Sequence, residues 1–320
     1  MTRDEVQARR SAIVAKHGEW SYDIPLTHDV WTRGNEGIPH TRLRRLLQAV
    51  VDLAGKPLAA CRILDLACLE GQYAIECARQ GATVVGLEAR EANLVKARFA
   101  KEVLQLSHLE FVQDDVRNLS IDTYGQFDVV LCSGILYHLD TPDVFDLIRH
   151  TYEVTERLVI IDTHVSLRPN LAVEFAGQTY HGERLPERHA VAGDGSSKAS
   201  EPPTTKELWA SVGNEASFLF SRPSLLNALA SAGFSSVHEC LNPPHLNFGA
   251  PGIEHLNRCT FVAVKGSQVT LSTSPTANGL QEAWPEGALT YVPALGSGLE
   301  HLRTGFRRLA SAGRKTVLRD

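Results

Sequence analysis

Between residues 61 and 165 short apolar runs alternate with helix-period stretches, and this alternation limits the possible folds more than any other feature of the sequence. The β-rich runs are Arg62–Leu66, Thr83–Glu88, Leu109–Gln113, 127–132 and 157–162. Helical stretches at 71–80, 91–105 and 142–153 lie between most of them. Strands that are apolar throughout and separated by helices read as a parallel sheet covered on both faces. Gly81 stands where the first of these helices needs a left-handed closing residue. The predicted class is α/β with a doubly wound sheet.

After the fifth run the pattern breaks. Residues 166–220 carry Gly193-Asp194-Gly195-Ser196-Ser197, Pro202-Pro203 and mixed charge without a clean period. They read as a long insertion, expected to act as a lid over the substrate. The pattern then resumes. Ser221 is an expected N-cap with Pro223 in the first turn, Leu225, Leu226, Leu229 and Ala230 form an apolar stripe, and Gly233 closes the helix. Runs at Ser236–Cys240 and 259–264, joined through Pro243-Pro244, are expected to pair antiparallel. Residues 1–55 read as a helical cover, with helices at 4–17 and 40–54 around an irregular stretch from Trp20 to Gly37. Residues 56–265 would then form one sheet domain. The remaining 266–320 divide into a linker rich in Ser, Thr, Pro and Gly and an amphipathic tail bearing Leu302, Phe306, Leu309, Arg303, Arg307 and Arg308.

Thirty-two Lys plus Arg against 37 Asp plus Glu give a net charge of -5. A chain that grips a nucleic-acid backbone usually shows a basic excess, so a small-molecule partner is expected instead. None of the six cysteines forms a C-x-x-C pair, and several, such as Cys132, sit in apolar runs. Free thiols in a reducing compartment follow. The N-terminus is charged and lacks an apolar leader core, and no run approaches the 18 or so apolar residues of a membrane helix. The expected location is the cytoplasm, without membrane association.

Chemistry concentrates where the first strand turns into a helix, at Asp65-Leu66-Ala67-Cys68-Leu69-Glu70-Gly71. A nucleotide-like ligand at the carboxyl edge of a parallel sheet meets this turn. Glu88 ends the second strand, where a carboxylate can accept from both ribose hydroxyls of an adenosine, and Gln113-Asp114-Asp115-Val116 ends the third, where one can accept from the adenine amine. Two ligand classes compete, dinucleotides and S-adenosylmethionine. The dinucleotide fingerprint G-x-G-x-x-G needs its glycines so that a pyrophosphate can reach backbone amides. Here only Gly71 is present, and Asp65 and Glu70 flank the turn and repel a pyrophosphate. Asp65 suits a cationic sulfonium ligand that also carries an ammonium group, so S-adenosylmethionine is the expected cofactor.

On these residues the chain resembles the class I (Rossmann-like) S-adenosylmethionine-dependent methyltransferases over about residues 55–265. The first motif is the turn above, the second Val85-Gly86-Leu87-Glu88, the third Asp114-Asp115-Val116 and the fourth Phe127-Asp128-Val129-Val130. The resemblance implies a seven-stranded, mostly parallel sheet whose last strand is antiparallel. It implies that Ala67 and Gly71 belong to the cofactor turn and that Glu88 binds the ribose. Asp115 would take the adenine amine, the Val116 amide a ring nitrogen, and Cys132-Ser133-Gly134 the methionine end, with Ser133 at its centre. The family usually has glycine where this chain has Ala67 and Leu69. A second segment pair, Gly134-Ile135-Leu136-Tyr137-His138-Leu139 and Trp31-Thr32-Arg33-Gly34, is similar to the tRNA wobble-uridine carboxymethyltransferases. That similarity implies that Trp20, Tyr22 and Trp31 to Gly34 fold over the cofactor, with Arg33 against its carboxylate.

Methyl transfer from a sulfonium is an in-line displacement in which positioning does much of the work, and an oxygen acceptor also benefits from a base. Of thirteen histidines, three fall where the acceptor must lie. His138 follows the fourth strand, His164 the fifth, and His181 lies in the insertion beside Tyr180 and Glu183. His164 oriented by Asp162 is the expected base, with His138 the other catalytic candidate. Asp162 and His164 with His138 or Glu183 are too sparse a set to predict a metal site. The expected reaction is O-methylation of a small molecule. A tRNA alkyltransferase on the same fold, or a non-catalytic S-adenosylmethionine-binding module, are the alternatives.

Overall fold

The computed structural model describes residues 1–34, 41–187, 205–209, 211–240 and 257–266. The expected loop around Gly193, both proline pairs, the linker and the amphipathic tail lie outside the described residues. Two helices open the chain, α1 (Arg3–His17) and α2 (Thr41–Leu53). In α1 the Thr2 side chain accepts from the Glu5 amide while Glu5 reaches back to the Thr2 amide, a capping box that closes two otherwise unmet donors.

The sheet then builds as the alternation predicts: β1 (Arg62–Leu66), α3 (Gln72–Arg79), β2 (Thr83–Glu88), α4 (Glu91–Val103), β3 (Leu109–Gln113), α5 (Ile121–Tyr124), β4 (Phe127–Ser133), α6 (Asp143–Val154) and β5 (Thr155–His164). After the insertion come α8 (Arg222–Ala232), β9 (Ser236–Cys240) and β10 (Arg258–Val264), once β6 (Leu171–Phe175), β7 (Gln178–Pro186), α7 (Thr205–Trp209) and β8 (Ala216–Phe220) have been counted. The seven strands stand in the order β3-β2-β1-β4-β5-β10-β9. Those from β1 to β5 pair in parallel, and β10 runs antiparallel to both neighbours. Order therefore reverses between β1 and β4, which places a crevice at the carboxyl ends of β1, β2 and β4. Gly81 closes α3 at φ +95°, as its position required.

β5 is longer than its apolar run suggests. It is paired along one edge by β4 and along the other, from Leu158 to His164, by β10, so the ladder carries His164 into the strand. The insertion is also more regular than its composition implies: β6, β7 and β8 form a second, antiparallel sheet. Its strands were hidden because their outward residues are polar, as Thr179, His181 and Glu183 are in β7. The inward side supplies Phe175, Tyr180, Phe218 and Phe220, whose rings gather around Phe145 of α6 at 4.4 to 6.1 Å. Gly182 is obligatory in β7, because a Cβ there would stand 2.3 Å from the Leu219 carbonyl oxygen.

The main sheet has a core on each face. One joins it to α6, α8 and the small sheet; the other joins it to α1, α2, α3 and α4. All six cysteines are free thiols, five of them buried. Among the described residues no helix is long and apolar enough to cross a membrane.

Candidate active site

A cleft of about 270 Å³ opens at the carboxyl ends of the parallel strands. Its floor is the turn after β1. Ala67 and Leu69 both take the left-handed conformation, φ +51° each, so the loop follows the path that glycine would allow, at a cost of about 1–2 kcal/mol per residue. Both line the cleft. Gly71 does not; it sits at φ +81°, where a Cβ would meet the Phe111 ring at 2.5 Å, and its role is close packing beneath the turn.

Asp65 also departs from expectation. It is buried below the cleft, off its wall, and accepts from the Ala74 amide at 3.1 Å in the first turns of α3. Burial, with Glu88 nearby, pushes its carboxyl up to about 8. It therefore serves as a buried helix-capping group that does not face the cleft.

Glu88 stands on the wall and is held from three sides. Its Oε2 accepts from the Leu69 amide at 3.1 Å, and its Oε1 from the Arg90 amide at 2.9 Å and Asn93 Nδ2 at 3.2 Å. Burial raises its pKa, and these donors work against that rise. The carboxylate thus ties the end of β2 to the turn after β1. Past β3, Asp114 accepts from Tyr124 Oη and Asn118 Nδ2. Asp115 lies on the cleft but is clamped by Arg117 through Nε at 2.9 Å and Nη2 at 2.6 Å. Burial alone would raise Asp115, and the Arg117 fork and amide hold it below the usual carboxylate range. Val116 and Ser133 complete this side.

The other end of the cleft lies past β4 and β5. Here the expected His164–Asp162 pair does not form. Asp162 is wholly buried and is taken by Arg258 Nε at 2.6 Å and Thr260 Oγ1 at 2.9 Å, with Arg42 Nε 3.7 Å away. His164 meets Asn257 Oδ1 through Nδ1 at 2.8 Å and Arg258 Nη1 through Nε2 at 3.2 Å. Arg258 can only donate, so Nε2 accepts and Nδ1 carries the proton. Burial, then Arg258, push His164 down to about 4. Its lone pair is spent on a guanidinium, and it does not line the cleft.

His138 does line the cleft, and its Nδ1 meets Glu187 Oε2 at 3.2 Å. Glu187 follows β7, so a carboxylate from the insertion orients a histidine from the main sheet. The insertion grips the same stretch twice more, through Asn214 Nδ2 to the His138 carbonyl at 2.6 Å and the Phe218 amide to the Leu139 carbonyl at 2.8 Å. His181, by contrast, lies in β7 away from the cleft, its amide donating to Ser224 Oγ. Glu183 accepts from Ser166. Among the described residues no cluster of three His, Cys, Asp or Glu side chains is placed to hold a metal.

The N-terminal segment contributes differently from the motif Trp31 to Gly34. Trp31 bridges Pro25, and Arg33 donates from Nη1 to the Ser21 carbonyl at 3.4 Å; neither borders the cleft. Trp20 is buried, its ring 6.2 Å from Phe99. Of the residues expected there Tyr22 does line the cleft, and Arg42 joins it. Arg258, Arg42, Glu187 and Trp209 carried no periodic signal, since each lies at an element edge or in an appended segment. Arg258 had one trace: it directly precedes the last β-rich run, and the antiparallel ladder sets it opposite His164.

Residues 63–157 match the family model described as a methyltransferase domain. The ubiquinone biosynthesis O-methyltransferase of Acinetobacter baylyi is 32% identical over 112 residues, 35% of this chain and 47% of that one. The putative methyltransferase YqeM of Bacillus subtilis is 34% identical over 124 residues, 37% and 48% of the two chains. The chain thus spans about half the length of the curated relatives it matches. Among solved structures, the N-terminal domain of EvdMO1 with SAH bound superposes with a TM-score of 0.61 at 24% identity, over 84% of this chain and 98% of that one. Strand order, strand directions and the matched segment define a class I S-adenosylmethionine-dependent methyltransferase fold. Residues 63–157 are the part of that fold which matches the methyltransferase-domain model.

Proposed function

We propose that the cleft binds S-adenosylmethionine and that the protein transfers its methyl group to a hydroxyl of a small molecule. The observation that carries this reading is Glu88: a carboxylate at the tip of β2, fixed by three donors yet open to the cleft. An oxygen pair so placed can accept from two vicinal ribose hydroxyls, and a pyrophosphate would be repelled by it. The rest of the donor set fits the same ligand. Leu69, Val116, Ile135 and Leu208 offer apolar surfaces for a flat base, while Arg42 stands at the far end, where the carboxylate of a methionine moiety would lie. Asp115 is the candidate for the adenine amine, though the Arg117 clamp leaves that contact to its remaining lone pairs. Arg42 takes the role that Arg33 was expected to fill. Ser133 borders the methionine end.

The cofactor supplies an electrophilic methyl group; the protein has to hold an acceptor oxygen in line with it and remove a proton. His138 is the histidine at the cleft. With Nδ1 donating to Glu187, its Nε2 carries the lone pair and can take the acceptor's proton, while Glu187 stabilises the imidazolium that forms. The insertion, residues 166–220, would bear on both cofactor and acceptor. The O-methyltransferase named among the relatives supports an oxygen acceptor, and the acidic balance supports a small molecule over RNA. The expected location remains the cytoplasm.

The test is transfer of radiolabelled methyl from S-adenosylmethionine to a panel of catechols, phenols and sugars. Label is expected in an ether of at least one panel member, and Glu88→Ala should abolish it at low cofactor concentration. Label in tRNA, with none in the panel, would reject the small-molecule reading.

A further inference from the structure

The insertion touches the cleft in two places, and the one nearer β2 and β3 has a pattern of its own. Resting on the proposed cofactor, we propose that residues 205–209 and 211–214 form a strap across its nucleoside end, pinned by the residues that aim the nucleoside-binding carboxylates. Asn93 Nδ2 donates both to Glu88 and, at 3.3 Å, to the Leu208 carbonyl. Arg90 gives its amide to Glu88 and its Nη2 to the Ser211 carbonyl at 2.9 Å. Arg117 clamps Asp115 and donates to the Val212 carbonyl at 2.7 Å. At the near edge, Trp209 Nε1 donates at 2.7 Å to Ser21 Oγ, which itself donates to buried Glu70 in the turn after β1.

The strap accepts through the main-chain carbonyls of Leu208, Ser211 and Val212, and through Asn214 Oδ1, which takes Arg117 Nη1 at 3.3 Å. Asn93 Nδ2 and Arg117 Nη2 each hold a carboxylate and the strap through one atom, so they cannot swing away without disturbing Glu88 or Asp115, and strap and carboxylates move together. Leu208, Trp209, Ser211 and Val212 border the cleft. With the strap down they wall its nucleoside side, and the cofactor can enter or leave only when it lifts. The residues are positioning residues, acting on exchange.

Exchange kinetics of the full chain test this, with S-adenosylmethionine and S-adenosylhomocysteine as probes. Arg90→Met keeps the backbone amide that Glu88 needs and removes the guanidinium that holds the Ser211 carbonyl. Trp209→Phe removes the link to Ser21. Loss of a charge-assisted bond corresponds to about a tenfold effect, so association and release should both accelerate about tenfold in Arg90→Met and further in the double variant. Release that rises while association is unchanged would mean that Arg90 contacts the ligand directly, and would overturn the strap. So would unchanged exchange. In the wild type, S-adenosylhomocysteine should slow hydrogen exchange at the strap amides; no slowing overturns the proposal whether or not the variants fold. Failure of the wild type to bind either probe removes the cofactor reading and the strap with it, whereas binding with unaltered exchange removes the strap alone.

Discussion

His138 and His164 leave the ends of neighbouring strands, and each is accompanied by a carboxylate, yet their surroundings give them opposite characters. His138 stands on the cleft with a buried glutamate at Nδ1. His164 is shut behind Arg258, which has already claimed the Asp162 carboxylate. Position at a strand end therefore nominates a histidine for catalysis, and the partner at its other nitrogen decides the matter. At β4 that partner is an acid from the insertion, and at β5 it is an amide and a cation.

Replacing each histidine should separate the two most sharply. His138→Gln is expected to lower methyl transfer by about 10² to 10⁴, the usual worth of a general base, while cofactor affinity holds. His164→Gln should leave turnover within about threefold, measured on whichever panel hydroxyl takes the label. Equal losses would erase the distinction. Glu187→Gln should cost about tenfold to a hundredfold in kcat at unchanged cofactor affinity, since a hydrogen bond from the charged imidazolium is lost.

The β5 end should show itself in stability instead. Arg258→Met leaves the wholly buried Asp162 without its guanidinium, and thermal unfolding should register a loss of about 3–5 kcal/mol. Because burial and Arg258 hold His164 down near 4, the imidazole charges more readily in the unfolded chain, whose value is about 6.5. Its contribution to stability is full above about 6.5 and is lost as pH falls towards 4. His164→Gln should flatten that part of the stability–pH curve, and a parallel curve would contradict the assignment. The smallest expected effect lies in the turn after β1, where Ala67→Gly relieves a left-handed alanine and should stabilise by no more than about 1 kcal/mol.

The same contrast explains what the sequence could reveal. The sheet was legible because its strands are buried on both faces and its helices carry apolar stripes, so period alone separates them. Glu88 and Asp115 were legible because strand ends fix where a carboxylate must stand, although the Arg117 clamp on Asp115 was not. The end of the cleft past β4 and β5 was not legible in the same way. The residues there, Arg42, Arg258 and Glu187, are distant in sequence and are brought to that end of the cleft by the β5–β10 ladder and the second sheet. Asp162 and His164 read as a pair because an imidazole just past the strand stands close to a carboxylate that could orient it; the ladder instead carries His164 into the strand, where the arginine of the adjacent strand intervenes. Asp65 was misjudged for a related reason, since strand alternation gives its position but not its depth.

The central claim is that Glu88 and its surroundings make a cofactor site at the strand ends. Calorimetric titration of the full chain with S-adenosylhomocysteine, beside the Glu88→Ala variant, tests it most directly. One site per chain is expected, with affinity reduced at least about tenfold in the variant by loss of a charged acceptor. Absence of heat in the wild type, or identical affinity in the two proteins, would contradict it.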